Sequence, residues 1–172
     1  MASFMDMALA QARAAAADGE VPVGCVVVRD GAVIARARNR TLADHDPTAH
    51  AEMLALRAAA AVLGSERLTG CDVHVTLEPC TMCAAALSFA RVRRVYYGAP
   101  DPKGGAVDNG VRFFASPACH HRPEIYGGIA EQEALGNGCG IPGSRPAPGP
   151  PRAAGYAPSA DFVFVSSTLD SK

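Results

Sequence analysis

No apolar run in the 172-residue chain approaches the ~18 residues of a membrane span, so the sequence offers no transmembrane helix. The first twenty residues carry Asp6 and lack both a basic flank and an apolar h-region, which argues against a secretory leader. An excess of one charge is missing as well. With 16 Lys+Arg against 17 Asp+Glu the formal net charge is −1, so no global basic field announces nucleic acid. Lysine is scarce, 2 residues against 14 arginines, and this balance decides nothing about function. Six cysteines are too few for a disulfide scaffold and enough for a metal site. No internal repeat is visible, which excludes a solenoid.

What is present can build a core. Hydrophobic residues are 49% and charged ones 19%, which excludes a wholly disordered chain, and the length suits one domain. The composition breaks near the end. Residues 136–172 hold 6 Gly and 6 Pro in 37 positions, a density without period that reads as coil. The working domain is therefore expected at 1–135, with net charge −2, and 136–172 as a Gly/Pro-rich, mostly irregular tail.

Along that domain the periodicity predicts a helix over 3–18, ended by Gly19, and a strand over 23–28, apolar enough to be buried on both faces. Asp30-Gly31 signals a hairpin to a second strand over 32–37. Asp46-Pro47 predicts the start of a helix, with Asp46 as N-cap, running to Leu63 and stopped by Gly64. A third strand is expected over 72–77, a helix from Pro79 to Ala90 and a fourth strand over 92–97. A Gly/Pro/Asp loop at 99–110 follows. A short helix is expected at 111–115, a short strand at 124–126 and a helical start at 129–135. This order implies an α/β fold, a central sheet with helices on both faces.

The strongest chemical signal is His50-Ala51-Glu52 followed by Pro79-Cys80-Thr81-Met82-Cys83. Cys80 and Cys83 share a helix face in its first turn, where free amides and the helix dipole stabilise thiolates. Two thiolates and one imidazole leave zinc's fourth position open, which marks a catalytic rather than a structural site. Glu52 lies ~200° around an ideal helix from His50, so the site must lie off the helix end for this carboxylate to reach it. The pattern H-x-E … P-C-x-x-C is the signature of zinc deaminases. There Glu52, as the non-ligand acid/base, would take a proton from water, pass it to a ring nitrogen and later protonate the departing amine. Cys25 and Cys71 read as core or structural residues, and Cys119-His120-His121 as surface. His74 alternates with apolar neighbours on a helix-covered or edge face. His45 fits a pocket rim or a plain loop equally.

The segments EVPVG (20–24), Asn39, HDPTAHAE (45–52), VTLEPCTMC (75–83) and YYGAPDPKGGA (96–106) together resemble the bacterial tRNA-specific adenosine deaminases, within the cytidine-deaminase-like superfamily. The resemblance spans residues 4–135. It implies a three-layer α/β/α sandwich with a five-stranded mixed sheet and one Zn2+ per chain held by His50, Cys80 and Cys83. The implied activity is hydrolytic conversion of the wobble adenosine of a tRNA anticodon to inosine by a homodimer; a cytoplasmic location is expected from the missing targeting signals and from thiolate ligands that need a reducing compartment. It further implies that Asn39 hydrogen-bonds the flipped base, that Val21 and Pro22 line the pocket, and that the Ala51 amide touches the base edge. Asp101 and Lys103 would meet flanking nucleotides. Arg91, Arg93, Arg94, Lys103, Arg112, His120, His121 and Arg122 form a local basic set suited to an unstacked anticodon loop.

The resemblance stops at about Leu135. The family closes with an amphipathic helix bearing a Phe-Phe pair and basic residues; 136–172 has no helical period and many helix breakers. Phe113-Phe114 lies earlier and is a different pair. A natural extension, a frame-shifted end and an end serving another substrate all fit this tail. Alternating Phe162 and Phe164 near its close fit a short strand or an unpaired sticky segment. The expectation is a surviving catalytic site with weakened tRNA affinity. Two other readings compete: a deaminase of free guanine- or cytosine-type bases or nucleosides, and a zinc-stabilised RNA-binding module without turnover. Asn39 with HDPTAHAE argues against the first, Glu52 against the second.

Overall fold

The computed structural model describes residues 2–136. The chain order is α1 (Phe4–Ala17), β1 (Gly24–Arg29), β2 (Ala32–Arg38), α2 (Ala51–Leu63), β3 (Cys71–Leu77), α3 (Thr81–Phe89), β4 (Arg94–Ala99), a single 3₁₀ turn at Phe113–Ala115, β5 (Glu124–Tyr126) and α4 (Glu131–Gly136). The strands form one five-stranded sheet in the order β2-β1-β3-β4-β5. β1 is antiparallel to β2 and β3, while β3, β4 and β5 run parallel, so the sheet is mixed. No described helix is long and apolar enough to cross a membrane.

The apolar run of β1 feeds both faces. Cys25 and Val27 join the larger core with α2, α3 and β3, while Val26 and Val28 turn the other way to meet Met5, Ala8 and Leu9 of α1 and Ala134 of α4. The result is the expected three-layer α/β/α sandwich. Burial on both faces explains why β1 shows no polar alternation. Alanine supplies the helix contacts here: Ala8, Ala12 and Ala15 of α1 are fully buried. That lets α1 press so close on β1 that a side chain at Gly24 would run into the Ala8 carbonyl. On the α1 face a ladder of rings runs across the sheet. Phe4 lies against His74, His74 stacks on Tyr96 at 4.5 Å, and Tyr96 on Tyr126 at 4.9 Å.

Several boundaries differ from expectation. α2 starts at Ala51 with His50 as N-cap, not at Asp46-Pro47. The Asp46 carboxylate instead accepts from the Thr48 N–H and hydroxyl, both at 2.7 Å, closing a local turn. α3 starts at Thr81 with Cys80 as N-cap, not at Pro79. The fourth strand begins at Arg94, after Val92, and the helix expected at 111–115 is only the 3₁₀ turn. Gly64 ends α2 as expected, with φ +59°. The surface reading of Cys119-His120-His121 holds only for His120. Cys119 and His121 are half-buried, the former packed on the core, because Ser88 bonds the His121 carbonyl and the His121 ring meets the Val92 carbonyl at 2.7 Å. The tail, including Phe162 and Phe164, lies outside the described residues.

Candidate metal centre and active site

Two helix N-termini converge on one point. His50 is the N-cap residue of α2 and Cys80 that of α3, so each stands at a helix end. Cys83 sits one turn into α3. His50 Nδ1 lies 3.7 Å from Cys80 Sγ and 3.6 Å from Cys83 Sγ. Tetrahedral bonds of about 2.3 Å to sulfur and about 2.0 Å to nitrogen would set such atoms about 3.5 Å apart, so the donor set fits a zinc ion. All three donor atoms lie within 4.8 Å of one another, and no fourth His, Cys, Asp or Glu joins them among the described residues. A three-donor group of this kind leaves one coordination position for water or substrate.

The electrostatics fit a cation. The Cys83 thiol and His50 bond to Cys80 and hold its thiol down, to about 4. The same pairing, with burial, pushes Cys83 up. His50 is raised by its bond to Cys80. Glu52, 4% exposed, is raised by burial. Burial thus favours the protonated form of a carboxyl that stands beside the donor cluster.

In front of these groups lies a cavity of about 290 Å³, near the lower end for small-molecule pockets of ~300 Å³ upward. His50, Glu52 and Cys80 form its floor, with Val21, Val23 and Leu77 as apolar walls. Asn39, Thr41, Glu78, Asp101 and Gly104 complete the lining. The structure therefore brings Asn39, Val21 and Asp101 together with the metal-site residues. Pro22 and Ala51 are buried and Lys103 is exposed, and none of the three lines the cavity. Ala51 is the first residue of α2, so its N–H is one that the helix itself leaves unpaired.

The basic set is less free than its sequence suggests. Arg93 makes a two-point bond to Asp72, both contacts 2.8 Å, and Arg94 bonds Glu124 at 2.9 Å. Strand pairing places these partners side by side, and local sequence does not reveal it.

Two buried glutamates hold the loops around the cavity, and the sequence reading assigns them no role. Glu20, 1% exposed, accepts from the Leu42 and Ala43 N–H groups and the Thr41 hydroxyl. Thr41 in turn receives the Asn39 amide at 3.5 Å. Arg40 and Asp44 clamp the same loop through a two-point ion pair. Glu78, 2% exposed, collects donors from residues 101 to 109. Burial pushes its carboxyl up, yet the N–H donors of Asn109, Asp101 and Asp108 hold it below the usual range. The available signal was position: each directly precedes or closes an apolar stretch that enters the site, Glu20 before Val21-Pro22-Val23 and Glu78 after Val75-Thr76-Leu77.

The family described as the cytidine and deoxycytidylate deaminase zinc-binding region matches residues 1–99. Fold and donor set together define a zinc-dependent deaminase of that class. The tRNA-specific adenosine deaminase of Agrobacterium fabrum is 62% identical over 131 residues, 76% of this chain and 86% of that protein. A solved structure from a study of A-to-I editing by tRNA:A34 deaminases at the wobble position of transfer RNA is 60% identical, with a TM-score of 0.77, and covers 78% of this chain and 97% of that one. The guanine deaminase of Bacillus subtilis is 33% identical, with a TM-score of 0.55, over 62% of this chain and 78% of that one. The chain belongs to the family of tRNA-specific adenosine deaminases.

Proposed function

We propose that this protein deaminates the wobble adenosine of a tRNA anticodon to inosine by hydrolysis. The observation that carries this reading is a buried carboxyl, Glu52, set beside a three-donor metal cluster at the floor of a base-sized polar and apolar cavity, in a chain 62% identical to a tRNA-specific adenosine deaminase. His50, Cys80 and Cys83 would hold zinc, which supplies a water of lowered pKa when bound. Glu52 takes one water proton and hands it to the purine ring nitrogen as the water oxygen adds to the amine-bearing carbon; it then takes the second proton from the added hydroxyl and gives it to the leaving amine, so the C–N bond breaks, a carbonyl forms and ammonia departs. Of the residues that line the cavity, Val21 presses on the flipped base and Asn39 bonds its edge. Asp101 and Lys103 face the neighbouring nucleotides. The protein works in the cytoplasm, where thiolate ligands stay reduced, as a homodimer. Residues 136–172 leave the catalytic site intact and weaken tRNA binding, since the pattern of the family ends there.

Incubation with an arginine tRNA bearing a wobble adenosine, followed by sequencing, tests the reading. Inosine with tRNA and none from free bases is expected. Deamination of free guanine or cytosine with no change to tRNA would overturn it. Normal turnover of an anticodon stem-loop, unaltered by deleting 136–172, would overturn the role given to the tail.

A further inference from the structure

We propose that Glu78 is a positioning residue that fixes the 101–109 loop and so sets how tightly the nucleotides beside the target base are held. The identity of that ligand rests on the RNA reading above. Glu78 Oε1 accepts from the N–H groups of Val107, Asp108 and Asn109 at 3.0, 2.9 and 2.9 Å. Its Oε2 accepts from the Asp101 N–H at 2.9 Å and the Asn109 side-chain amide at 2.6 Å. Five donors from one loop thus meet one buried acceptor. Asp101 then folds its own carboxylate back onto the Lys103 and Gly104 N–H groups at 3.0 and 2.9 Å. The loop's far end is tied by the Tyr97 hydroxyl, which donates to Asp108.

This loop is also joined to the metal-bearing segment. Cys80 pairs with Gly105 as an isolated β-bridge, and the Ala106 N–H donates to the Pro79 carbonyl at 2.9 Å. A side chain at Gly105 would overlap the Glu78 carboxyl, so loop and carboxylate are in direct contact. Glu78 lies two residues before Cys80 and lines the same cavity as Asp101 and Gly104. An ionised carboxylate can only accept, which is what five donors require. A glutamine of the same shape would turn an NH2 toward two or three N–H groups in either orientation.

The test compares the full chain with its Glu78→Gln and Asn109→Ala variants by amide hydrogen exchange. In Glu78→Gln, exchange at residues 101 and 107–109 is expected to rise at least about tenfold, while Ala84 in α3 stays protected. Unchanged loop exchange, or an equal rise throughout α3 and β3, would overturn the proposal. With an anticodon stem-loop as substrate, the rise in KM is expected to exceed the fall in kcat. A fall in kcat at constant KM would overturn it. Asn109→Ala removes one donor, leaves the carboxylate ionised, and should show the same pattern at smaller size. Should Glu78→Gln not fold, unchanged loop exchange in Asn109→Ala overturns the proposal. Failure of the unaltered chain to deaminate the stem-loop would sink the RNA reading, and the exchange data would still decide the role of Glu78.

Discussion

The floor of the cavity and its rim are built in different ways. The floor consists of side chains projecting from the first turns of α2 and α3, backed by a core whose residues are fully buried on β1 and β3. Helix ends set these atoms within a few ångströms of one another, with Cys83 and Glu52 buried. The rim consists of two loops, one after β2 and one after β4. Each is held by one buried carboxylate reaching across the chain, Glu20 for the loop after Asn39 and Glu78 for the loop after β4. Chemistry sits where packing is rigid, and substrate contact where hydrogen bonds define the shape. The floor should therefore fail in an all-or-none manner and the rim by degrees.

Cys83→Ala tests the floor most severely. Two donors do not hold a catalytic zinc, so bound metal by elemental analysis and deamination should both fall to background. If metal and turnover persist, the floor is not built as described. Glu52→Ala separates chemistry from metal. Zinc should stay bound while the deamination rate falls by about 10³-fold or more, in line with the loss of a general acid/base. Retained activity would remove Glu52 from its role.

The rim predicts smaller losses. Thr41→Val keeps the shape but cuts the link between Glu20 and the Asn39 amide, leaving both short of a partner. A stability loss of about 1–3 kcal/mol in urea melts is expected, with KM raised and zinc content unchanged. If turnover vanishes outright, the rim is no softer than the floor. The smallest effect lies on the opposite face of the sheet. Burial lowers the His74 imidazole below its ordinary value of 6.5. The unfolded chain therefore binds a proton that the folded one refuses. Stability from this group is present above pH 6.5 and is lost as pH falls below that value toward the folded one. His74→Phe should flatten that acid slope in melts followed from pH 7 to 5, with activity at neutral pH unchanged. A slope unaffected by the substitution would assign it to other groups.

Sequence reading served the floor better than the rim for a physical reason. His50, Glu52, Cys80 and Cys83 act through residue type and short spacing, and both are visible in a string. β1 shows itself by a continuous apolar run and β3 by the alternation of Val73 and Val75, and both match their burial. Glu20 and Glu78 act mainly through backbone N–H groups 22 to 31 positions away, and an N–H has no letter in a sequence. A glutamate in isolation reads as a solvated charge, so neither drew notice. Asp46-Pro47 misled in the opposite way. Its residue types fit a helix cap, but the same carboxylate served a turn at Thr48 and the helix waited for His50. Arg93 and Arg94 read as open cations because their partners, Asp72 and Glu124, become neighbours only once β3, β4 and β5 align.

Tyr97 gives the rim an optical handle. The chain has no tryptophan, so tyrosine dominates its ultraviolet absorption and emission. Tyr97 lies 4% exposed beneath the loop, with its hydroxyl on Asp108, while Tyr96 and Tyr126 belong to the ring ladder on the other face. Loosening the loop would release that hydroxyl and change the spectrum of a single buried ring. The loop's order can then be followed by light, with no label and no substrate, in a protein whose signal no indole obscures.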